Sequence, residues 1–206
     1  MDITLFPTKS NLIKAKNSLR LSKQGYMLLD KKRNVLIREM MELIEKAKRI
    51  QSEIDKTFSE AYRALQAANI MFGINTVGRI SYAIPVEDGI KIRFRSVMGV
   101  ELPLVDDETD ESLQYGYGFF RTGTALDEAY KKFESVKQLS LKLAEIENSV
   151  YRLAANVKKT QKRANALKNI MIPKYEELTH MIQNALEEKE REEFSRLKVI
   201  KEMSAP

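Results

Sequence analysis

Leu12-Ile-Lys-Ala15-Lys-Asn-Ser-Leu19-Arg-Leu-Ser22-Lys-Gln-Gly25-Tyr26-Met-Leu-Leu29 opens a seven-residue apolar repeat, and that repeat decides the fold. One row continues as Leu12, Leu19, Tyr26, Arg33, Met40, Ala47, Ile54, Ala61 and Ala68. Its companion, three residues on, reads Ala15, Ser22, Leu29, Leu36, Leu43, Ile50, Thr57, Ala64 and Met71. Only Arg33, Ser22 and Thr57 depart from the apolar rule. The C-terminal part repeats the pattern, with Ala129, Val136, Leu143, Val150, Val157, Ala164, Met171, Leu178 and Ala185 in one row. The other row there holds Lys132, Leu139, Ile146, Leu153, Thr160, Leu167, Lys174 and Met181. A seven-residue period keeps one stripe of each helix facing a partner through supercoiling. An ordinary core helix would lose that register beyond about 25 residues, so length favours a coiled coil.

Pro7 and Thr8 mark the start of the first helix, because a threonine hydroxyl can satisfy an orphan N–H. Gly73, Asn75 and Gly78 mark its end. About 65 residues at ~1.5 Å each give a helix of roughly 95 Å. Gly25 inside it costs about 1 kcal/mol relative to alanine, or marks close packing against a neighbour. The second helix is expected from Thr122–Thr124 to about Lys201, with Asp127 and Glu128 in its first turn. Pro173 should kink it or mark a step in register.

Between the helices the period changes to two. Ile90-Lys-Ile-Arg-Phe-Arg95 alternates apolar and basic residues and reads as a half-buried strand, with Ile90, Ile92 and Phe94 packing inward. Asp88-Gly89 suits a tight hairpin turn, and Val97 to Val105 adds further extended chain. The acidic stretch after it reads as a loop. The aromatic run Tyr115–Phe120 reads as packing against the small sheet. The expected architecture is therefore mainly α: a long antiparallel two-helix coiled coil from the two ends, with a small segment containing a β-hairpin between. Its parts are residues 1–73, 74–121 and 122–206. Pairing across a midpoint near residue 97 sets residue i opposite 194 − i.

Charge is uneven along the chain. Residues 1–38 carry nine Lys and Arg against two Asp, and residues 152–174 carry seven and no acid. The antiparallel register puts these stretches on one level, as a basic collar of Lys31, Lys32, Arg38, Lys158, Lys159, Lys162 and Arg163. Like charges so gathered repel one another unless a partner offsets them. On the middle segment, Lys91, Arg93 and Arg95 face a partner or solvent.

Catalytic chemistry is missing from the chain. Gly73-Ile-Asn-Thr-Val-Gly78 has the glycine spacing of a phosphate loop, but Arg79-Ile80 follow where lysine and a hydroxyl are needed. His180 is the sole histidine, which excludes His-based triads and multi-histidine metal sites. With no cysteine there is no disulfide framework and no thiolate metal site. No catalytic, cofactor or metal site is expected. The isoelectric point near 9.3 raises nucleic acid, but the aromatics are not interleaved with the basic clusters, so none is expected. No basic, apolar leader is visible at the start, and no window reaches the ~18 apolar residues that cross a bilayer.

The residues also resemble a known family. Pro7-Thr-Lys9, Leu12, Lys16, Leu19, Gly25, Leu28-Leu29 and Lys31-Lys-Arg33 look like the N-terminal signature of the D subunits of V-type and archaeal-type rotary ATPases. Arg163-Ala-Asn-Ala-Leu167, Ile172-Pro173 and the tail from Glu188 through Arg191, Phe194 and Leu197 to Lys198 resemble the C-terminal elements of that family. Gly99-Val100 with Leu102-Pro103 fits a shorter one. The resemblance implies a non-catalytic central-stalk subunit whose coiled coil enters a hexamer of catalytic A and B subunits. It also implies contacts with the F subunit and with the C-type (d-type) subunit that leads to the membrane ring. The location it implies is cytoplasmic, peripheral to the membrane. A chaperone clasp of the prefoldin kind is the alternative, since such chains also place β-hairpin structure between antiparallel helices. A clasp needs apolar residues at its free tips, and the charged C-terminal tail argues against it.

Overall fold

The computed structural model describes residues 6–84, 89–107, 117–118 and 122–203. Helix α1 runs Lys9–Phe72, a short helix α2 Ile74–Ser81, and strands β1 Ile90–Val97 and β2 Val100–Asp107 follow. Helix α3 spans Thr124–Ala166, a π-helical turn Leu167–Met171, and helix α4 Ile172–Met203. The chain divides into two compact units, one of Met1–Val35 with Val157–Pro206 and the other of Leu36–Asn156.

In the first unit, α1 opens on the expected cap: the Asn11 backbone N–H donates to Thr8 Oγ1 at 3.2 Å. Its seam holds Ala15 and Ser22, both buried, with Leu12, Leu19, Tyr26, Leu29 and Arg33 half-buried. The antiparallel register is visible in named pairs. Arg33 donates to Gln161 at 2.8 Å, and the Lys168 ammonium lies 5.9 Å from the Tyr26 ring centroid. Both pairs satisfy 194 − i. Lys23 instead meets Glu176 at 2.7 Å, and Lys9 meets Glu190 at 3.0 Å, where the same rule predicts residues 171 and 185.

A step of one residue in the seam itself lies at the π-helical turn, where the Ile172 backbone N–H donates to the Leu167 carbonyl five residues back. Such a turn inserts one extra residue into a helix. Before it the inward residues step by threes and fours, through Leu153, Val157, Thr160, Ala164 and Leu167; after it they are Met171, Tyr175, Leu178 and Ile182. Two successive steps of four, from Leu167 to Met171 to Tyr175, replace the alternation. Lys174 and Met181, expected in the seam, are therefore exposed, Met181 by 59%. Ala15, Leu178 and Ile182 form the core here, with Leu12, Tyr175 and Leu186 packed around them. The step in register is real, but it lies just ahead of Pro173. From residue 187 to 203 every residue of α4 is exposed.

In the second unit the heptad rows hold without a step. Leu36, Leu43, Ile54, Ala61 and Ala68 of α1 are buried, as are Ala129, Val136 and Leu153 of α3. Burying a leucine such as Leu36 or Leu153 fully is worth about 1.5–3 kcal/mol. Lys132, a charged intruder in its row, keeps its ammonium at the surface against Glu60 at 2.5 Å. Tyr62 meets Phe133 edge-on at 5.6 Å. Helix α1 ends at Gly73, whose φ of 81° a side chain would resist. The chain then forms α2, a helix within the segment expected to be β-containing. Val77 and Ile80 of α2 pack with Phe72 on a small core of Ala68, Tyr117 and Leu126. Tyr117 donates to Asp127 Oδ1 at 2.7 Å, tying the connector to the start of α3. Of the aromatic run Tyr115–Phe120, only Tyr117 and Gly118 fall among the described residues.

The two strands pair antiparallel from Val97↔Val100 out to Ile90↔Asp107. Their turn is Met98-Gly99, both at positive φ (50° and 74°), as a two-residue hairpin requires. The turn expected at Asp88-Gly89 involves residues 85–88, which lie outside the described residues. The inward packing of Ile90, Ile92 and Phe94 is not found: they are 41%, 60% and 55% exposed. Burial falls instead on β2, where Val100 and Leu102 are 3% and 1% exposed. The reason is which strand lies against α3. The Val105 N–H donates to Glu145 at 3.1 Å, and Arg152 donates to the Glu101 carbonyl at 3.1 Å. Helix α3 thus takes the outer edge of β2 and leaves β1 on the outside.

Candidate partner-binding surfaces

Six of the seven collar residues belong to the first unit. Of these, Lys31, Lys158, Lys159, Lys162 and Arg163 stand exposed on their helices, while Lys32 is half-buried. Among the described residues no carboxylate lies in salt-bridge range of these six. Arg33, beside them, is different: it pairs with Asp30 at 2.6 Å as well as with Gln161. The α1 face of the first unit therefore carries ammonium groups, while Asp30, its one described acid, is already engaged. Arg38 belongs to the second unit and is exposed there.

On β1, Lys91, Arg93 and Arg95 are all exposed and share one face of the strand. Their neighbours across the ladder are Asp106, Leu104 and Leu102. Arg93 forms an ion pair with Asp106, and the hydrogen bond from Arg93 holds that carboxyl below its ordinary value. The opposite face carries Ile92 and Phe94, with the Arg152 guanidinium 5.3 Å from the Phe94 ring centroid. Basic and apolar residues thus both reach solvent on this strand, and an edge of this kind is suited to a partner.

Two apolar surfaces were missed from sequence. One surrounds the α1–α2 break, where Ile70, Met71, Ile74 and Tyr82 are 86%, 71%, 75% and 91% exposed. From residue 61 to 84 the chain holds Arg63 and Arg79 and no acid, a signal that was available. The other is the end of α4, where Phe194, Leu197, Ile200 and Met203 are exposed among charges. Exposed groups of large apolar residues mark interaction sites. No helix among the described residues is long and apolar enough to cross a membrane, and no described His, Asp or Glu residues cluster as a metal site.

Comparison with known proteins agrees with this architecture. Residues 11–202 match the family model of the ATP synthase D subunit. The chain is 48% identical over 203 residues to the V-type ATP synthase D subunit of Thermotoga neapolitana, covering 98% of this chain and 100% of that protein. It is 36% identical to the A-type ATP synthase D subunit of Pyrococcus abyssi, across 95% of this chain and 92% of the relative. The Methanopyrus kandleri A-type protein is 37% identical over 198 residues, or 96% of this chain and 85% of its own.

Proposed function

Because the chain belongs to the D-subunit family of V-type and A-type ATP synthases, and so is a central-stalk component of a multi-subunit complex, we propose that it is the non-catalytic rotor shaft of that complex. It carries torque between a catalytic A/B hexamer and the ion-translocating ring, from a cytoplasmic position peripheral to the membrane. The observation that carries this reading is the long heptad seam of α1, with apolar rows facing it from α3, within a chain matched from residue 11 to 202. Two helices clasped along such a seam resist bending and twisting. Cations without carboxylate partners allow long-range, weakly directional contact with surrounding walls, which lets a shaft turn. The β1 strand and the apolar surface near Gly73 supply grips for the F subunit and the C-type subunit.

The chaperone clasp has no support from the relatives, which are ATP synthase subunits. Its discriminator is weaker than expected, since apolar residues do reach solvent at the end of α4; family membership decides the matter.

The test is assembly. Purified with A, B and F subunits, the chain should co-elute as one copy per hexamer in a complex that hydrolyses ATP, and alone it should hydrolyse none. Replacing Lys158, Lys159, Lys162 and Arg163 together by glutamate should weaken assembly or uncouple turnover. Unchanged assembly and coupling in that variant would sink the collar, while absence of any complex with the native chain would sink the shaft.

A further inference from the structure

Gly25 stands inside α1, between two leucines that the seam does not use. Leu21, Gln24, Gly25 and Leu28 occupy positions i, i+3, i+4 and i+7, the four corners of a hole that receives a side chain from a neighbouring helix. Leu21 and Leu28 are 71% and 67% exposed, and the seam residues around them are Ser22, Tyr26 and Leu29. The molecule's own packing does not require the glycine. Its φ is not positive, and a Cβ added there would lie 3.6 Å from Leu167 Cδ1, an ordinary contact. At Gly123, by contrast, an added Cβ would come within 3.0 Å of the Phe72 ring. An alanine would fit at position 25 and favour the helix. A helix-weakening residue thus sits where an alanine would fit, flanked by leucines turned to water.

We propose that Leu21, Gln24, Gly25 and Leu28 form a docking socket for one apolar side chain on an acidic helix or loop of the surrounding hexamer, a proposal that rests on the rotor-shaft reading. Gly25 adds no side chain to the hole, whose floor there is bordered by Leu167, and the two leucines flank the incoming group. Charge selects the carrier. Lys14, Lys16, Arg20, Lys31 and Lys32 surround the socket along α1 with no carboxylate partner among the described residues, and Asp30 is held by Arg33. An acidic carrier offsets these cations, and a basic one would be repelled.

Gly25→Ala and the double variant Leu21→Ser with Leu28→Ser, each in the full-length chain, test the socket by thermal melting alone and by affinity for assembled A and B subunits. Gly25→Ala should melt about 2–4 °C higher than the native chain and yet bind the hexamer roughly tenfold more weakly. The serine variant should lose a similar factor in binding without a fall in helical content. A lower melting temperature for Gly25→Ala would assign the glycine to internal packing and overturn the proposal. So would native affinity in both variants while the native chain binds. Failure of the native chain itself to bind would overturn the hexamer reading, and the socket's occupant with it.

Discussion

Arg33 shows how a polar residue is carried in an apolar row. It occupies a seam position on α1, and its guanidinium is held by Asp30 on its own helix and by Gln161 on the facing one. Removing it strands Gln161, so Arg33→Ala should destabilise the isolated chain by about 0.5–1.5 kcal/mol in urea unfolding. Arg33→Leu restores an apolar seam and should unfold at higher urea than the native chain, since well-packed apolar groups often exceed buried ionic ones. At the surface, Lys132 and Glu60 shift each other: the hydrogen bond between them raises the lysine and lowers the glutamate. Glu60 contributes fully above its ordinary value of 4.5, and that contribution is lost as pH falls through its lower folded value. Lys132 contributes fully below its ordinary value of 10.5, and its share is lost as pH rises through its higher folded value. Melting should therefore be flat across neutral pH and fall at both ends. Lys132→Met should flatten the acid-side fall; an unchanged acid limb would show that the pair contributes nothing.

At the scale of elements, the π-helical turn is the feature with consequences. It brings Tyr175 and Ile182 into the seam of α4 beside Leu178 and turns Met181 outward. Ile182→Ala should cost about 2–4 kcal/mol, whereas Met181→Ala should cost under about 1 kcal/mol. Equal costs in chemical unfolding would place the unshifted heptad in the seam. On the small sheet, exposed Ile92 is free to change, whereas the Phe94 ring lies under the Arg152 guanidinium. Ile92→Thr should leave thermal stability within about 0.5 kcal/mol of native, while Leu102→Ala, on the covered strand, should cost about 2–5 kcal/mol. Circular dichroism melts of the pair would show the reverse order if β1 were the buried strand.

For the molecule as a whole, charge is the governing quantity. The formal net charge is +6, and the cations of residues 1–35 and 157–174 greatly outnumber the acids beside them. Raising ionic strength from about 10 mM to about 150 mM shortens the screening length from roughly 30 Å to roughly 8 Å. Self-repulsion should fall, so the isolated chain should melt higher in salt. Binding to the hexamer should weaken over the same range, because the contact that offsets those cations is screened as well. A melting temperature independent of salt would mean that the cations are already too far apart to repel.

Much of this protein was legible because a heptad is a local and repetitive signal. Each of the eighteen α1 positions from Leu12 to Met71 was assigned by counting, and all but Met71 lie inward. Ahead of the π-helical turn the register followed from the place of the connector, with its midpoint near residue 97, as Arg33 with Gln161 and Ala68 beside Leu126 show. The family was legible in the Arg163–Leu167 and Ile172-Pro173 elements. What sequence could not decide depended on where one element lies against another. Alternation in Ile90–Arg95 is the same whether that strand lies inside or outside. Only the contact of α3 with β2, through Glu145 and Arg152, left β1 exposed. Pro173 signalled a kink or a step in register, but the place of the step at Leu167–Met171 and its π-helical form could not be counted from the sequence. That an alanine would fit at position 25 needed the distance to Leu167, which is a property of packing and not of sequence.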